Sequence, residues 1–210
     1  MKRPAARTIA LTGALTAAAL VVAGCSGPQA LTGSDVTPAA SASTASTANT
    51  ADVHFTQMMI VHHQGAIDMA ELARGRAASQ EVKDLAARIE AAQQPEIDTM
   101  TGWLESWGEE PLDDDDTMPG MNHSPMSMGG AGGMASPDDL TELEDATGTD
   151  FDRRFLELMI AHHEGAVRMA TMETRAGQNP DTVALAEKMV TDQTAEIAEM
   201  KALLAPYAGS

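Results

Sequence analysis

Aromatic residues are scarce: three Phe, two Trp and one Tyr make up 3% of 210 positions. Sheets fill their pleated cores with aromatic and β-branched side chains, so this scarcity argues against an all-β fold. Cysteine is scarcer still. Cys25 stands alone, which excludes an intrachain disulfide and a thiolate-built metal site. Positive charge is the third deficit, with 13 Lys and Arg against 31 Asp and Glu, a net charge of −18. Such a chain lacks the clustered cations that grip nucleic-acid phosphates, so no nucleic-acid partner is expected, whereas cation binding is compatible with it. What is present in excess is Met, at 15 residues, alongside abundant Ala, Leu and Glu. These are good helix formers, and the expected class is all-α.

The N-terminus reads as an address. Lys2, Arg3 and Arg7 precede an apolar run over residues 9–23, too short to span a ~30 Å hydrocarbon core comfortably but laid out like a secretory leader. It ends in Val22-Ala23-Gly24-Cys25, which resembles the lipobox of bacterial lipoproteins. On that reading residues 1–24 are removed and Cys25 becomes the lipidated first residue of an exported protein held on the extracytoplasmic face of the cell membrane. Loss of three basic residues leaves 10 − 31 = −21. Residues 25–49, rich in Ser, Thr, Ala, Gly and Pro, form a flexible tether.

The folded part is a duplication. Residues 52–104 and 152–204 align without a gap at an offset of 100, with 17 identities in 53 positions. Asp52, Phe55, Met59, Ile60, His62, His63, Gly65, Ala66, Met69 and Ala70 recur as Asp152, Phe155, Met159, Ile160, His162, His163, Gly165, Ala166, Met169 and Ala170. A second block, from Leu85 to Leu104, repeats Gln93 and Glu96 as Gln193 and Glu196. Apolar residues three and four apart mark each block as a helix. Asn49-x-x-Asp52 and Thr149-x-x-Asp152 read as helix starts, Ser79 and Asn179-Pro180 as caps of the following helices, and Gly177 as a stop. Pro95 is expected to kink the helix that contains it. Each copy is then a helical hairpin, over 50–107 and 149–207, separated by a linker over 108–148. A lone hairpin cannot bury its apolar stripe. Two of them predict a four-helix bundle within one chain, the alternative being hairpins paired between chains.

With the first turn centred near Ala78, residues equidistant from it sit at one level. Gln93 and Glu96 then lie level with His62 and His63, as do Gln193 and Glu196 with His162 and His163, with Met59 and Met159 a turn away. Such a polar layer is satisfied either by its own hydrogen bonds, fixing helix register, or by a metal. Adjacent histidines point about 100° apart on a helix, so one of each pair faces the bundle centre and the other is lateral or exposed. The linker points the same way. After Asp113–Asp116 it holds Met118, Met121, His123, Met126, Met128 and Met134 among Pro, Gly, Ser and Asn. Thioethers gain nothing in a solvated loop, but they are soft ligands for Cu(I) or Ag(I), and imidazole also suits Cu(II).

The sequence Asp-x-x-Phe-x-x-x-Met-Ile-x-His-His-x-Gly-Ala-x-x-Met-Ala, at 52–70 and again at 152–170, resembles the signature of the domain-of-unknown-function family 305. The resemblance implies a ferritin-like four-helix fold in exported bacterial proteins, some of them associated with copper. It marks Met59, His62, His63, Met69, Met159, His162, His163 and Met169 as matching positions and does not reach the linker cluster.

The expected function is a membrane-tethered copper-binding protein that sequesters the ion or hands it on, with Cu(I) favoured over Cu(II). No protein partner is legible, and no catalytic constellation is found: no nucleophile elbow, His-Glu-x-x-His or phosphate loop. A ferritin-like dinuclear oxidase is a weaker alternative, because neither Glu96 nor Glu196 has a His three residues on. A metal-free surface interaction module is the other. On the leading reading, deleting residues 118–134 lowers the copper stoichiometry in a Cu(I) titration and leaves the helical circular dichroism unchanged; full stoichiometry in the deleted protein overturns the linker's part.

Overall fold

The computed structural model describes residues 47–112 and 132–207. Cys25 and the leader, most of the tether, and Met118, Met121, His123, Met126 and Met128 lie outside the described residues. The elements are α1 (Thr50–Arg76), α2 (Gln80–Trp107), α3 (Pro137–Asp145), α4 (Gly148–Ala176) and α5 (Pro180–Leu204), followed by a 3-10 turn over Ala205–Tyr207. Helices α1/α2 and α4/α5 are the two hairpins, and α1 against α4 forms most of the contact between them. The fold is the all-α bundle of two duplicated hairpins. Among the described residues no helix is long and apolar enough to cross a membrane.

The helix ends follow their caps. Asn49 and Asp52 form a reciprocal capping box on α1, Ser79 Oγ accepts from the Val82 N–H on α2, and Asn179 Oδ1 accepts from the Asp181 N–H on α5. Helix α4 ends at Ala176, with Gly177 as its C-cap. Pro95 lies inside α2, which runs unbroken through it. Two expectations need correction. Helix α4 begins at Gly148, whose φ of 66° suits glycine, with Thr147 as an N-cap that makes no side-chain bond. Asp152 is therefore a full turn inside the helix and forms no capping box. The linker region also contains α3, set by a Ser136–Asp139 capping box with Pro137 in the first turn, and its Leu143 is fully buried.

Along the bundle, Met59, Leu85, Ile89, Met100, Leu104, Phe151, Phe155, Leu156 and Met159 are fully buried, each worth about 1.5–3 kcal/mol over exposure. At the hairpin turns the cohesion is polar. Asp52, buried on α1, accepts from the backbone N–H of Gln178 and Asn179 at 3.0 Å and from Thr182 Oγ1 at 2.8 Å. Asp152, buried on α4, accepts from the N–H of Ala78 and Ser79 at 2.9 Å and from Tyr207 OH at 3.1 Å. Each hairpin's first helix thus supplies a carboxylate to the other hairpin's turn. Burial alone would raise Asp52, but the Asn49 and Asn179 N–H groups and the Thr182 hydroxyl outweigh it and hold this carboxyl below its ordinary value.

The second copy adds Glu173 beside Asp52. Its side chain is buried, with Oε1 unpartnered, and a side chain at Gly177 would collide with it. Burial first, then the adjoining Asp52, pushes Glu173 up to about 7. In the folded protein Glu173 keeps its proton over a range in which the unfolded chain has lost it, so the stability it contributes at low pH is lost as pH rises toward and through 7. Glu173→Gln is expected to raise Tm by a few degrees at pH 8, where the wild type holds a buried charge, and to change it little at pH 5. Equal shifts at both pH values in a thermal melt overturn that assignment.

Candidate metal centre

The eleventh and twelfth residues of each copy, counted from Asp52 and Asp152, are the adjacent histidines, and all four are buried. Their roles divide by facing. His62 of α1 and His162 of α4 meet where the two helices cross, with ring centroids 3.7 Å apart and planes tilted by 39°. His63 and His163 turn sideways within their own hairpins. His63 Nε2 lies 2.9 Å from Glu96 Oε2, and His163 Nε2 lies 2.8 Å from Glu196 Oε2. The levels derived from spacing therefore hold. The expectation that the off-centre histidine is lateral also holds, and none of the four is exposed.

A carboxylate oxygen only accepts, so Nε2 of His63 and of His163 is the donor, and Nδ1 of each is left buried without a partner. Burial tends to raise Glu96, but the bond from His63 and the ion pair with Lys188 at 3.0 Å outweigh it and hold the carboxyl below its ordinary value. Glu96 thus both orients His63 and ties α2 to α5.

The central pair is less satisfied. His62 Nε2 donates to the Gly132 carbonyl at 3.0 Å, and its Nδ1 has no partner. Neither nitrogen of His162 has one. Burial is the dominant cause that pushes His62 down to about 3, against the Gly132 bond, and burial together with the adjacent His62 holds His162 well below its ordinary value. Both rings are neutral at physiological pH, each with a lone pair on nitrogen, which is the metal-binding form of imidazole.

A segment of the linker closes over this pair, and the glycine of His-His-x-Gly-Ala makes room for it. A Cβ on Gly165 would strike the Gly132 carbonyl, and one on Gly133 (φ 77°) would strike the Ala161 carbonyl. At the equivalent Gly65, a Cβ would lie 3.2 Å from Met134 Cε, 3.8 Å from its Sδ and 3.6 Å from His162 Nε2. The space beside Gly65 is thus shared by a thioether and an unpartnered imidazole nitrogen. Two neutral imidazoles and a thioether are a soft to borderline donor set that fits Cu(I).

The other sequence-derived candidates are placed differently. Met59 sits in one apolar cluster with Met100 and Met189, with Met169 packed against it, while Met69, Met159 and Met200 belong to a second cluster. Gln93 and Gln193 are buried, each with Oε1 unpartnered. Among the described residues, no three His, Cys, Asp or Glu side chains converge on one point, so the carboxylate-rich set of a dinuclear oxidase is not assembled there. Sequence reasoning missed the Gly132 carbonyl and gave Met134 no distinction from its linker neighbours. The available signal was the paired Gly65 and Gly165, which permit close approach of another backbone.

No curated protein matches the sequence. The family described as Domain of unknown function (DUF305) matches residues 52–204. Among solved structures, a DUF305 fragment from Deinococcus radiodurans is 31% identical, covers 76% of this chain and 99% of its own, and superposes with a TM-score of 0.67. A DUF305 protein from Streptomyces coelicolor is 33% identical over 74% of this chain and 91% of its own, with a TM-score of 0.64. CopM in its Cu(I)-bound form is also 33% identical, over 75% of this chain and 98% of its own, at 0.60. CopM is also known in Cu(II)-bound, Ag-bound and apo forms. With the family's pattern spanning both hairpins and its members sharing the bundle, the chain belongs to the DUF305 family.

Proposed function

We propose that this protein is an exported, membrane-anchored copper-binding protein that holds Cu(I) for sequestration or hand-over, with His62, His162 and Met134 as its innermost ligands. The observation that carries the reading is His162. It is a buried neutral imidazole with neither nitrogen hydrogen-bonded, next to a second imidazole and a thioether. Leaving such groups unsatisfied costs about 1–3 kcal/mol each, and a soft metal ion removes that cost at the nitrogen that carries the lone pair. The copper-bound and silver-bound forms of CopM support the same chemistry in a relative. Met118, Met121, Met126 and Met128 would collect Cu(I) from outside the bundle, with His123 able to hold Cu(II). Cys25 would carry the lipid that keeps the protein at the membrane.

A second reading is favoured by the His63–Glu96 and His163–Glu196 bonds. In it the polar layer serves helix register, and the protein is an interaction module without metal. The two readings differ at the central pair. In an anaerobic Cu(I) competition titration, His62→Ala with His162→Ala is expected to weaken the tightest site by more than about tenfold, or 1.4 kcal/mol; unchanged affinity overturns the copper reading. In a thermal melt of the metal-free protein, His162→Leu is expected to raise Tm, because it removes two unsatisfied buried nitrogens. A lowered Tm with copper affinity intact is the outcome of the register reading.

A further inference from the structure

The imidazoles of His62 on α1 and His162 on α4 are packed on each other and sealed from solvent, at 3% and 1% exposure. On one side the cover is the non-helical linker segment Gly132–Met134. Between that segment and α4 runs a groove of about 270 Å³, with Gly133, Met134 and Asp139 on one wall and Ala161, Glu164 and Arg168 on the other. Met134 is half-buried and belongs to both places. It lines the groove, and its thioether borders the space beside Gly65 that His162 Nε2 also borders.

We infer that this groove is the route by which Cu(I) enters and leaves the His62–His162 pair, with Met134 as the thioether that passes the ion between solvent and imidazole. The inference rests on the copper reading above and adds to it a path and an exchange ligand. Cu(I) accepts low coordination numbers and soft donors, so it can move by exchanging one ligand for the next without being released as a free ion. Such a step needs a donor that reaches both the outer space and the inner nitrogen. Among the described methionines, Met59, Met69, Met100, Met159, Met189 and Met200 are buried in the apolar clusters, with Met169 packed against one of them, and neither the half-buried Met58 on α1 nor the exposed Met172 on α4 lines the groove. Met134 meets both requirements. The groove mouth is partly anionic, with Asp139 on the linker side and Glu164 on α4, where Glu164 pairs with Lys201 at 2.9 Å. Arg168 on the same wall limits the attraction for cations. The route also gives the two glycines a purpose beyond packing. Gly165 seats the Gly132 carbonyl, and Gly65 leaves the gap between Met134 and His162 open.

The test follows Cu(I) transfer by stopped flow, from the loaded protein to an excess of a chromogenic Cu(I) chelator, under anaerobic reducing conditions. Ala161→Trp fills the groove without altering a proposed ligand. It is expected to leave the equilibrium Cu(I) affinity within about threefold of wild type and to slow both loading and release by about tenfold or more, since closing a path changes rates in both directions alike. Met134→Leu is expected to slow transfer and weaken affinity together. Circular dichroism checks that Ala161→Trp is folded; if it is not, Leu158→Phe on the same wall replaces it. Wild-type rates in a folded groove-filling variant of unchanged affinity overturn the route and leave the copper reading standing. Failure of the wild type to compete for Cu(I), or full affinity after loss of both His62 and His162, overturns the copper reading itself.

Discussion

The crossing of α1 on α4 is the contact on which the rest of this structure depends. A single hairpin leaves its apolar stripe in water, and here each hairpin covers the other chiefly through its first helix. Those are the two helices that carry the His-His-x-Gly-Ala sequence. Burying the stripe therefore brings His62 against His162 and sets Gly65 and Gly165 beside them. The hydrophobic contact and the candidate metal centre have one cause. A bundle joined through α2 and α5 would have kept the two imidazoles apart.

That placement has a cost which other parts of the molecule offset. Two neutral imidazoles with unsatisfied nitrogens weaken the middle of the bundle. The reciprocal carboxylates at the turns work against this. Asp52 and Asp152 each satisfy backbone N–H groups at the start of the opposite hairpin's second helix, where a helix has donors to spare. Glu96 and Glu196 bond one nitrogen of each lateral histidine, as the Gly132 carbonyl does for His62, so among the four rings His162 alone has neither nitrogen bonded.

The two copies have diverged where their surroundings differ. At the turn facing Asp52, the second copy has Glu173, Gly177 and Thr182 where the first has Ala73, Ala77 and Val82. One turn is thus a carboxyl pair sensitive to protonation, and the other a cap completed by Tyr207. The linker makes the centre asymmetric as well. It can lie on only one side of the pseudo-symmetric pair, so Gly132 bonds His62 while Met134 approaches His162. The duplication supplied two equivalent imidazoles, and the single linker made them inequivalent.

The sequence by itself determined the duplication, the hairpins, their caps at Asn49, Ser79 and Asn179, and the level at which Gln93 and Glu96 face His62 and His63, and Gln193 and Glu196 face His162 and His163. All of these follow from local periodicity, or from counting outward from one turn, because helix rise is constant and antiparallel neighbours keep level. Tertiary structure alone decided which histidine of each pair faces the other copy, since a helix rotated by a third of a turn satisfies the same pattern. It also decided that Asp152 serves the other hairpin's turn instead of capping its own helix, that Gly132 reaches His62 across 70 positions, and that Asp52 reaches Asn179 across 127. Contacts at such separations are set by how two finished hairpins pack, and no periodicity within either hairpin encodes them.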